Sequence, residues 1–150
     1  MHIKRRLWAV PFIIITTAFV IIGCSEMELS GTAPSNKPPV VEFANVPNDS
    51  SYYSSNPVIY WFGSDDDGQV LQYHYKVILK DSLGTSPENY ADVFTAPDST
   101  WITVEEESDT IAMYASSEPD EYWEQYIFLC AEDDESAFSD VVFKLFARNN

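Results

Sequence analysis

The 150-residue chain is poor in cysteine, histidine and basic residues, and each shortage argues against a class of site. It has two cysteines, two histidines and eight Lys or Arg residues against 24 Asp or Glu residues, for a formal net charge of −16. Lys4, Arg5 and Arg6 precede Cys24, so the rest of the chain carries five basic and 24 acidic residues. Such a surface repels phosphate backbones and anionic headgroups, which argues against nucleic-acid binding. Basic protein partners and cations are compatible with this charge.

The N-terminal region combines a basic start with an apolar run. Residues 1–6 include three cations, and the run Leu7–Ile22 is followed by Gly23 and Cys24. This order is typical of a secretory signal. Ile21-Ile22-Gly23-Cys24 also resembles a bacterial lipobox, in which cleavage occurs before the cysteine and its thiol carries diacylglycerol. The alternative is an uncleaved anchor, but the run is shorter than the roughly 20 residues of a usual span.

We therefore predict a signal peptide over residues 1–23, lipidation at Cys24 and a flexible tether over residues 24–39. The tether is small, polar and proline-bearing, without hydrophobic periodicity. Ser25, directly after the cysteine, resembles the sorting residue that permits transport to an outer membrane. The expected location is the bacterial cell envelope, with the protein held through lipid at Cys24 in the outer membrane.

Residues 40–150 have the pattern of a β-sheet protein. In the segment Val58–Leu79 two strand-like runs flank a turn with three adjacent aspartates, and the second run alternates apolar and polar residues. That alternation predicts one buried face and one wet face, with His74 on the wet face. Predicted strands are Val40–Ala44, Val58–Phe62, Val70–Leu79, Thr100–Val104, Thr110–Ala115, Tyr126–Ala131 and Val141–Ala147.

These seven short strands predict a single antiparallel β-sandwich, with no helix of useful length. Residues 81–99 are predicted as a long loop with a short strand near Ala91–Phe94.

The motifs of this region resemble the fibronectin type III-like and PKD-like modules, of immunoglobulin fold, in bacterial surface proteins. The resemblance rests on Tyr60-Trp61-Phe62, the corner Gly63–Gly68, Tyr73-His74-Tyr75 and Ile127-x-Leu129-x-Ala131-x-Asp133. It departs at Gln125, where many such modules place a corner tyrosine. The resemblance implies adhesion, assembly or spacing rather than catalysis, although fold alone does not settle function.

The side chains that usually carry catalysis are scarce. With Cys24 lipidated, Cys130 is the only remaining thiol, which excludes a disulfide inside the domain and predicts a small buried hydrophobe. A lone His74 makes neither a triad nor a zinc site. No Gly-x-Ser-x-Gly, P-loop or His-Glu-x-x-His motif occurs. The sequence therefore predicts a protein that is not an enzyme.

Three acidic connections are expected at one end of the sandwich. They are Ser64–Asp67, Glu105–Asp109 and Glu132–Glu135. Crowded carboxylates raise one another's pKa or recruit a cation, and Ca²⁺ takes six to eight oxygens from such loops. The candidate Ca²⁺ ligands are Asp65, Asp67, Asp133 and Asp134. The alternative is a turn with a solvated rim, and no EF-hand spacing is present.

Aromatic residues in loop-like or edge contexts suggest a second class of function. Tyr53 and Trp123 are the candidate contacts for a sugar ring or a protein partner. The leading hypothesis is a lipid-anchored lipoprotein that acts as an interaction, adhesion or spacer module toward another envelope protein or a glycan. The alternative is a carbohydrate-binding module that uses its exposed aromatics, with or without Ca²⁺.

Overall fold

The computed structural model describes residues 35–44, 46, 51–53, 56–116, 118 and 121–148. The predicted signal peptide, Cys24 and the tether as far as residue 34 lie outside these ranges. No helix within the described ranges is long and apolar enough to cross a membrane. Ser35–Asn150 form one unit by their contacts, and that unit contains the fold described below.

Within the described ranges, eight strands form two sheets. They are β1 Val40–Ala44, β2 Ser51–Tyr53, β3 Val58–Ser64, β4 Val70–Leu79, β5 Ile102–Val104, β6 Ser108–Thr110, β7 Trp123–Asp133 and β8 Val142–Arg148. One sheet has the order β1-β3-β6 and the other the order β2-β8-β7-β4-β5. All neighbours are antiparallel except β2 and β8, which are parallel. These two sheets and their strand orders confirm the predicted immunoglobulin-like, fibronectin type III-like β-sandwich.

The core between the sheets is centred on Trp61. Its ring lies 6.0 Å from the ring of Tyr73 and 5.8 Å from that of Tyr75. Its Nε1 donates to the Glu106 carbonyl at 3.0 Å. The core contains Val41, Ile59, Trp61, Tyr73, Tyr75, Ile111, Met113, Ile127, Leu129, Ala131 and Phe146. Because side chains of a strand alternate between faces, Ile59 and Trp61 enter this core while their neighbours on β3 point outward.

A second cluster covers the outer face of the five-stranded sheet. The connection between β4 and β5 folds over that face through a 3-10 turn, Lys80–Ser82, and a short helix α1, Pro87–Asp92. Ser86 is the N-cap of α1, and its side chain accepts a hydrogen bond from the Asn89 backbone N–H at 3.2 Å. The buried residues of this cluster are Trp101, Phe128, Cys130 and Val141.

The packing of this connection over the outer face contradicts two sequence predictions. The structure has helix α1 where a loop with a short strand near Ala91–Phe94 was predicted. It also buries His74 to 5% exposure, although the strand alternation predicted a wet face. Periodicity within β4 predicts which residues share a face, but it carries no information about a distant segment that packs on that face.

Strand β2, which pairs with β8, was not predicted, and local irregularities account for two further differences. The β4–β7 register shifts between Val70 and Gln72, and Leu71 is exposed instead of buried. The predicted strand Thr110–Ala115 is mostly irregular. There the buried Gln125 side chain bonds both the N–H and the carbonyl of Tyr114 at 2.9 Å. Gln125 thus ties this segment to β7.

Candidate functional site

Two of the predicted acidic connections meet at one end of the sandwich, which we call the acidic pole. It consists of Asp65–Gln69, between β3 and β4, and Asp133–Glu135, where β7 ends and the connection to β8 begins. The Asp134 N–H donates to the Gln69 carbonyl at 3.0 Å, and the Gln69 N–H donates to Asp134 Oδ1 at 3.1 Å. The third connection lies against β3, where the Trp61 N–H donates to the Glu107 carbonyl at 3.0 Å.

Asp133 organises the β7–β8 connection. Its side chain is fully buried, and its Oδ1 accepts hydrogen bonds from the N–H groups of Glu135 and Ala137, each at 2.8 Å. Its Oδ2 accepts a bond from Asn36 Nδ2 at 2.8 Å. Burial acts to raise the pKa of Asp133, but these three donors outweigh it and hold the pKa below its ordinary value. The charged form of Asp133 is therefore part of the folded structure.

Each of the other three candidate Ca²⁺ ligands also accepts a hydrogen bond from a backbone N–H group. Asp65 Oδ1 accepts the Asp67 N–H at 3.2 Å, while its Oδ2 is buried without a hydrogen-bond partner. Asp65 and Asp134 approach each other across Gly68, where a Cβ would collide with both carboxylates. Across the described residues, no group of three or more His, Cys, Asp or Glu side chains is placed to hold a metal. Ca²⁺ binding by Asp65, Asp67, Asp133 and Asp134 stays a prediction.

The acidic pole binds residues of the predicted tether. Lys37 donates its backbone N–H to Asp67 Oδ2 at 3.2 Å, and its Nζ lies 3.3 Å from Asp66 Oδ2. Together with the Asn36–Asp133 bond, these contacts attach residues 36 and 37 to the loops. The chain thus enters the domain at the acidic pole, an arrangement that sequence reasoning missed. The sequence feature that could have indicated this attachment is Lys37, a single cation just before an acidic domain.

His74 and Cys130 lie side by side beneath the second cluster, since they are register partners of β4 and β7. The His74 Nε2 is 3.0 Å from Glu132 Oε2, and its Nδ1 is 2.9 Å from Thr103 Oγ1. Burial, together with the charge of Glu132, raises the pKa of the Cys130 thiol to about 12. Such a thiol stays protonated and inert at neutral pH, so the prediction of Cys130 as a buried hydrophobe is confirmed.

The two aromatic candidates occupy different environments. Tyr53 is half-buried and packs on Phe146, with ring centroids 5.8 Å apart. Trp123 is 37% exposed and borders a cleft of about 370 Å³ at the end of the domain where β4 ends and β7 begins. Residues lining this cleft are Leu79, Lys80, Asp81, Glu121, Tyr122, Trp123 and Glu124. Because β4 has 10 residues, the cleft lies about 30 Å from the acidic pole.

An apolar strip runs over the outer face of the three-stranded sheet. It consists of Val58, Tyr60 and Phe62 of β3, with Val40 of β1 diagonally beside Phe62. Their side chains are between 47% and 66% exposed. Sequence reasoning assigned β3 correctly but did not identify this face as a surface. The period of two that places Trp61 in the core also places Tyr60 and Phe62 outside.

No protein-family model matches the chain, and no curated protein matches it. Among solved structures, the chain is similar to the fibronectin(III)-like modules of CbhA from Clostridium thermocellum, with 16% identity and a TM-score of 0.39. The match covers 75% of this chain and 47% of the other, so this chain spans about half of that structure. The fold assignment rests on the strand pairing itself.

Proposed function

We propose that this chain is a lipid-anchored lipoprotein of the cell envelope whose sandwich binds another envelope protein and performs no catalysis. The observation that carries the proposal is the apolar strip on the β1–β3–β6 sheet. Four large apolar side chains on one exposed sheet face are costly in water, and contiguous exposed patches of this kind are typical of protein interaction sites. A partner that covers the strip would remove Tyr60 and Phe62 from solvent.

Anchoring at Cys24 is consistent with the way the chain enters the domain. Asn36 and Lys37 are bound at the acidic pole, so a tether from Cys24 would approach the domain at that end. The Trp123 cleft then lies at the opposite end of the domain, about 30 Å from the attachment point, whereas the apolar strip begins near that point, at Val40. Both ring nitrogens of His74 are hydrogen-bonded to protein side chains, and the buried Cys130 thiol stays protonated. Neither residue is available for chemistry, which supports a binding function over a catalytic one.

Site-specific photo-cross-linking in cells that express the full chain tests this function. A photoreactive residue at position 60 should give a discrete cross-linked protein in the membrane fraction, and Phe62→Glu should abolish that product because it places a charge in the apolar contact. Cys24→Ser should abolish incorporation of a radiolabelled fatty acid into the chain.

The matched control is a photoreactive residue at position 102. Ile102 is 45% exposed, as Tyr60 is 47% exposed, but it lies on the edge strand β5 of the other sheet. Equal products at positions 60 and 102, or a product that survives Phe62→Glu, would contradict binding through the strip. Fatty-acid incorporation that survives Cys24→Ser would contradict lipidation at Cys24.

The cleft beside Trp123 supports a second candidate function, carbohydrate binding. Sugar rings stack on exposed aromatic faces, and neighbouring carboxylates and a lysine accept or donate hydrogen bonds to hydroxyl groups. Trp123 with Asp81, Glu121 and Lys80 provides that combination in one cleft. Tyr53 would contribute through packing on Phe146 rather than through direct contact.

A glycan array probed with the wild-type chain and with Trp123→Ala tests the second function. If the cleft binds sugar, Trp123→Ala should weaken glycan binding about tenfold or more, because the stacking surface is lost. Tyr114→Ala is the matched control, since Tyr114 is 50% exposed and does not line this cleft. Equal losses for both variants, or no glycan bound by the wild-type chain, would contradict this function.

A further inference from the structure

A cavity of about 500 Å³ lies between helix α1 and the connection that leads into β8, on the outer face of the five-stranded sheet. Its volume is within the range of about 300–1,000 Å³ that is usual for ligand sites. Three half-buried phenylalanines line it, Phe94, Phe138 and Phe143. Phe138 packs edge-on against Phe94 with ring centroids 6.3 Å apart, so these rings belong to the second cluster and have defined positions.

Three carboxylates line the same cavity: Glu88 and Asp92 from α1 and Asp140 from the β7–β8 connection. No lysine or arginine is among its lining residues, and none of the three acids takes part in an ion pair within the described part of the chain. The cavity therefore combines aromatic walls with uncompensated negative charge.

The placement of these acids costs stability in the absence of a partner. Glu88 and Asp92 are four residues apart, so they lie on the same face of α1, and like charges at this spacing destabilise a helix. Asp92 is also the last residue of the helix, where a negative charge meets the negative end of the backbone dipoles. A cation bound in the cavity would relieve both effects.

We propose that this cavity binds an arginine-bearing basic segment of a protein partner. A guanidinium group pairs with carboxylates through a planar fork of donors and also stacks on aromatic rings, which matches both kinds of lining residue. The same aromatic cluster already holds one cation in this way, since Lys76 Nζ lies 5.9 Å from the centroid of the Tyr90 ring. The net charge of −16 would attract such a segment from a distance.

This site lies on the opposite sheet from the apolar strip, so the proposal goes beyond the proposed function and the two can fail separately. The test uses the full chain in a nonionic detergent and a fluorescein-labelled peptide in which arginine alternates with leucine and glycine. The control peptide carries citrulline in place of each arginine, which keeps the shape and removes the charge. Fluorescence anisotropy should show binding of the arginine peptide that weakens with salt, and no binding of the citrulline peptide.

Variants of the chain locate the site. Glu88→Gln with Asp92→Asn should weaken binding about tenfold, and Asp140→Asn should weaken it as well. Glu105→Gln with Glu106→Gln changes the net charge by the same amount at exposed positions outside the cavity and should change affinity less than about twofold. The Glu88 and Asp92 double variant should melt no lower than the wild-type chain, because it removes the like-charge pair.

Three results would overturn the proposal. One is equal weakening by the cavity variants and by the Glu105 and Glu106 control, which would reduce the effect to net charge. The second is equal binding of the citrulline peptide. The third is a failure of the wild-type chain to bind the arginine peptide at low salt. None of these outcomes bears on cross-linking at position 60.

Discussion

Replacing Trp61 by alanine should lower the free energy of unfolding by about 3–5 kcal/mol, as expected for an aromatic side chain removed from a core. Trp61 is 2% exposed and packs between the sheets against Tyr73 and Tyr75. Its indole N–H also donates a hydrogen bond to the carbonyl of Glu106, in the connection between β5 and β6. The variant therefore leaves a cavity and an acceptor without its donor, and both effects act against the folded state.

Denaturant unfolding with an unchanged slope measures this loss as a shift of the midpoint. Trp61→Phe should fall between the wild-type chain and Trp61→Ala, since it keeps ring packing but removes the indole donor. Trp123→Ala is the control for loss of a tryptophan at a partly exposed site and should cost far less. Similar midpoints for Trp61→Ala and Trp123→Ala would show that the sheets do not pack around Trp61.

Replacing Asp133 by asparagine should cause a large loss of thermal stability at neutral pH and little further loss in acid. The carboxylate accepts the N–H groups of Glu135 and Ala137 and the amide of Asn36. An asparagine oxygen can replace Oδ1, and Asn36 can turn its amide to accept from the new NH2 group, so the substitution removes the charge of the acceptor rather than the geometry. Hydrogen bonds to a charged acceptor are stronger than those to a neutral one, and because Asp133 is buried, water does not compensate for the difference.

The pH dependence follows from the lowered pKa of Asp133. A carboxyl group with a lowered pKa in the folded state contributes stability that is present above its unfolded pKa, near pH 4, and lost as the pH falls through the folded pKa. Melting temperatures of the wild-type chain and of Asp133→Asn should therefore differ most at pH 7 and converge below about pH 4. Asp66→Asn removes an exposed carboxylate of the same pole and should leave the melting curve nearly unchanged. Parallel curves for the wild-type chain and Asp133→Asn down to pH 2 would contradict this role.

The candidate surfaces differed in how far sequence could predict them. The acidic pole was predicted because charge runs and turn residues are local features, and the structure joins two of the three predicted acidic loops by a backbone hydrogen bond. The cavity beside α1 could not be predicted, since Glu88 and Asp140 are far apart in sequence and meet only through folding of the β4–β5 connection. The Trp123 cleft was half-predicted. The sequence identified the exposed tryptophan. The other side of the cleft comes from residues 79–81, at the end of β4, and only folding brings these residues beside Trp123.

The sequence by itself determined the long strands of the sandwich and three aromatic residues of its inner core. A period of two in β3 and β4 assigns Trp61, Tyr73 and Tyr75 to one face, and Asp and Gly mark the turn between these strands. Strand 40–44 and strand 70–79 were predicted at the bounds that the structure has. These features are local, because backbone geometry alone sets the alternation.

Only the tertiary structure decided which polar residues are buried and what they bind. The segment after β4 packs over the outer face and buries His74 beside Glu132, so a residue that alternation placed in water lies in a second core. Asp133 is a buried acceptor for Asn36 across 97 positions of the chain. Burial and long-range hydrogen bonds depend on which segments meet in space, and one strand's periodicity carries no information about a segment that arrives from elsewhere.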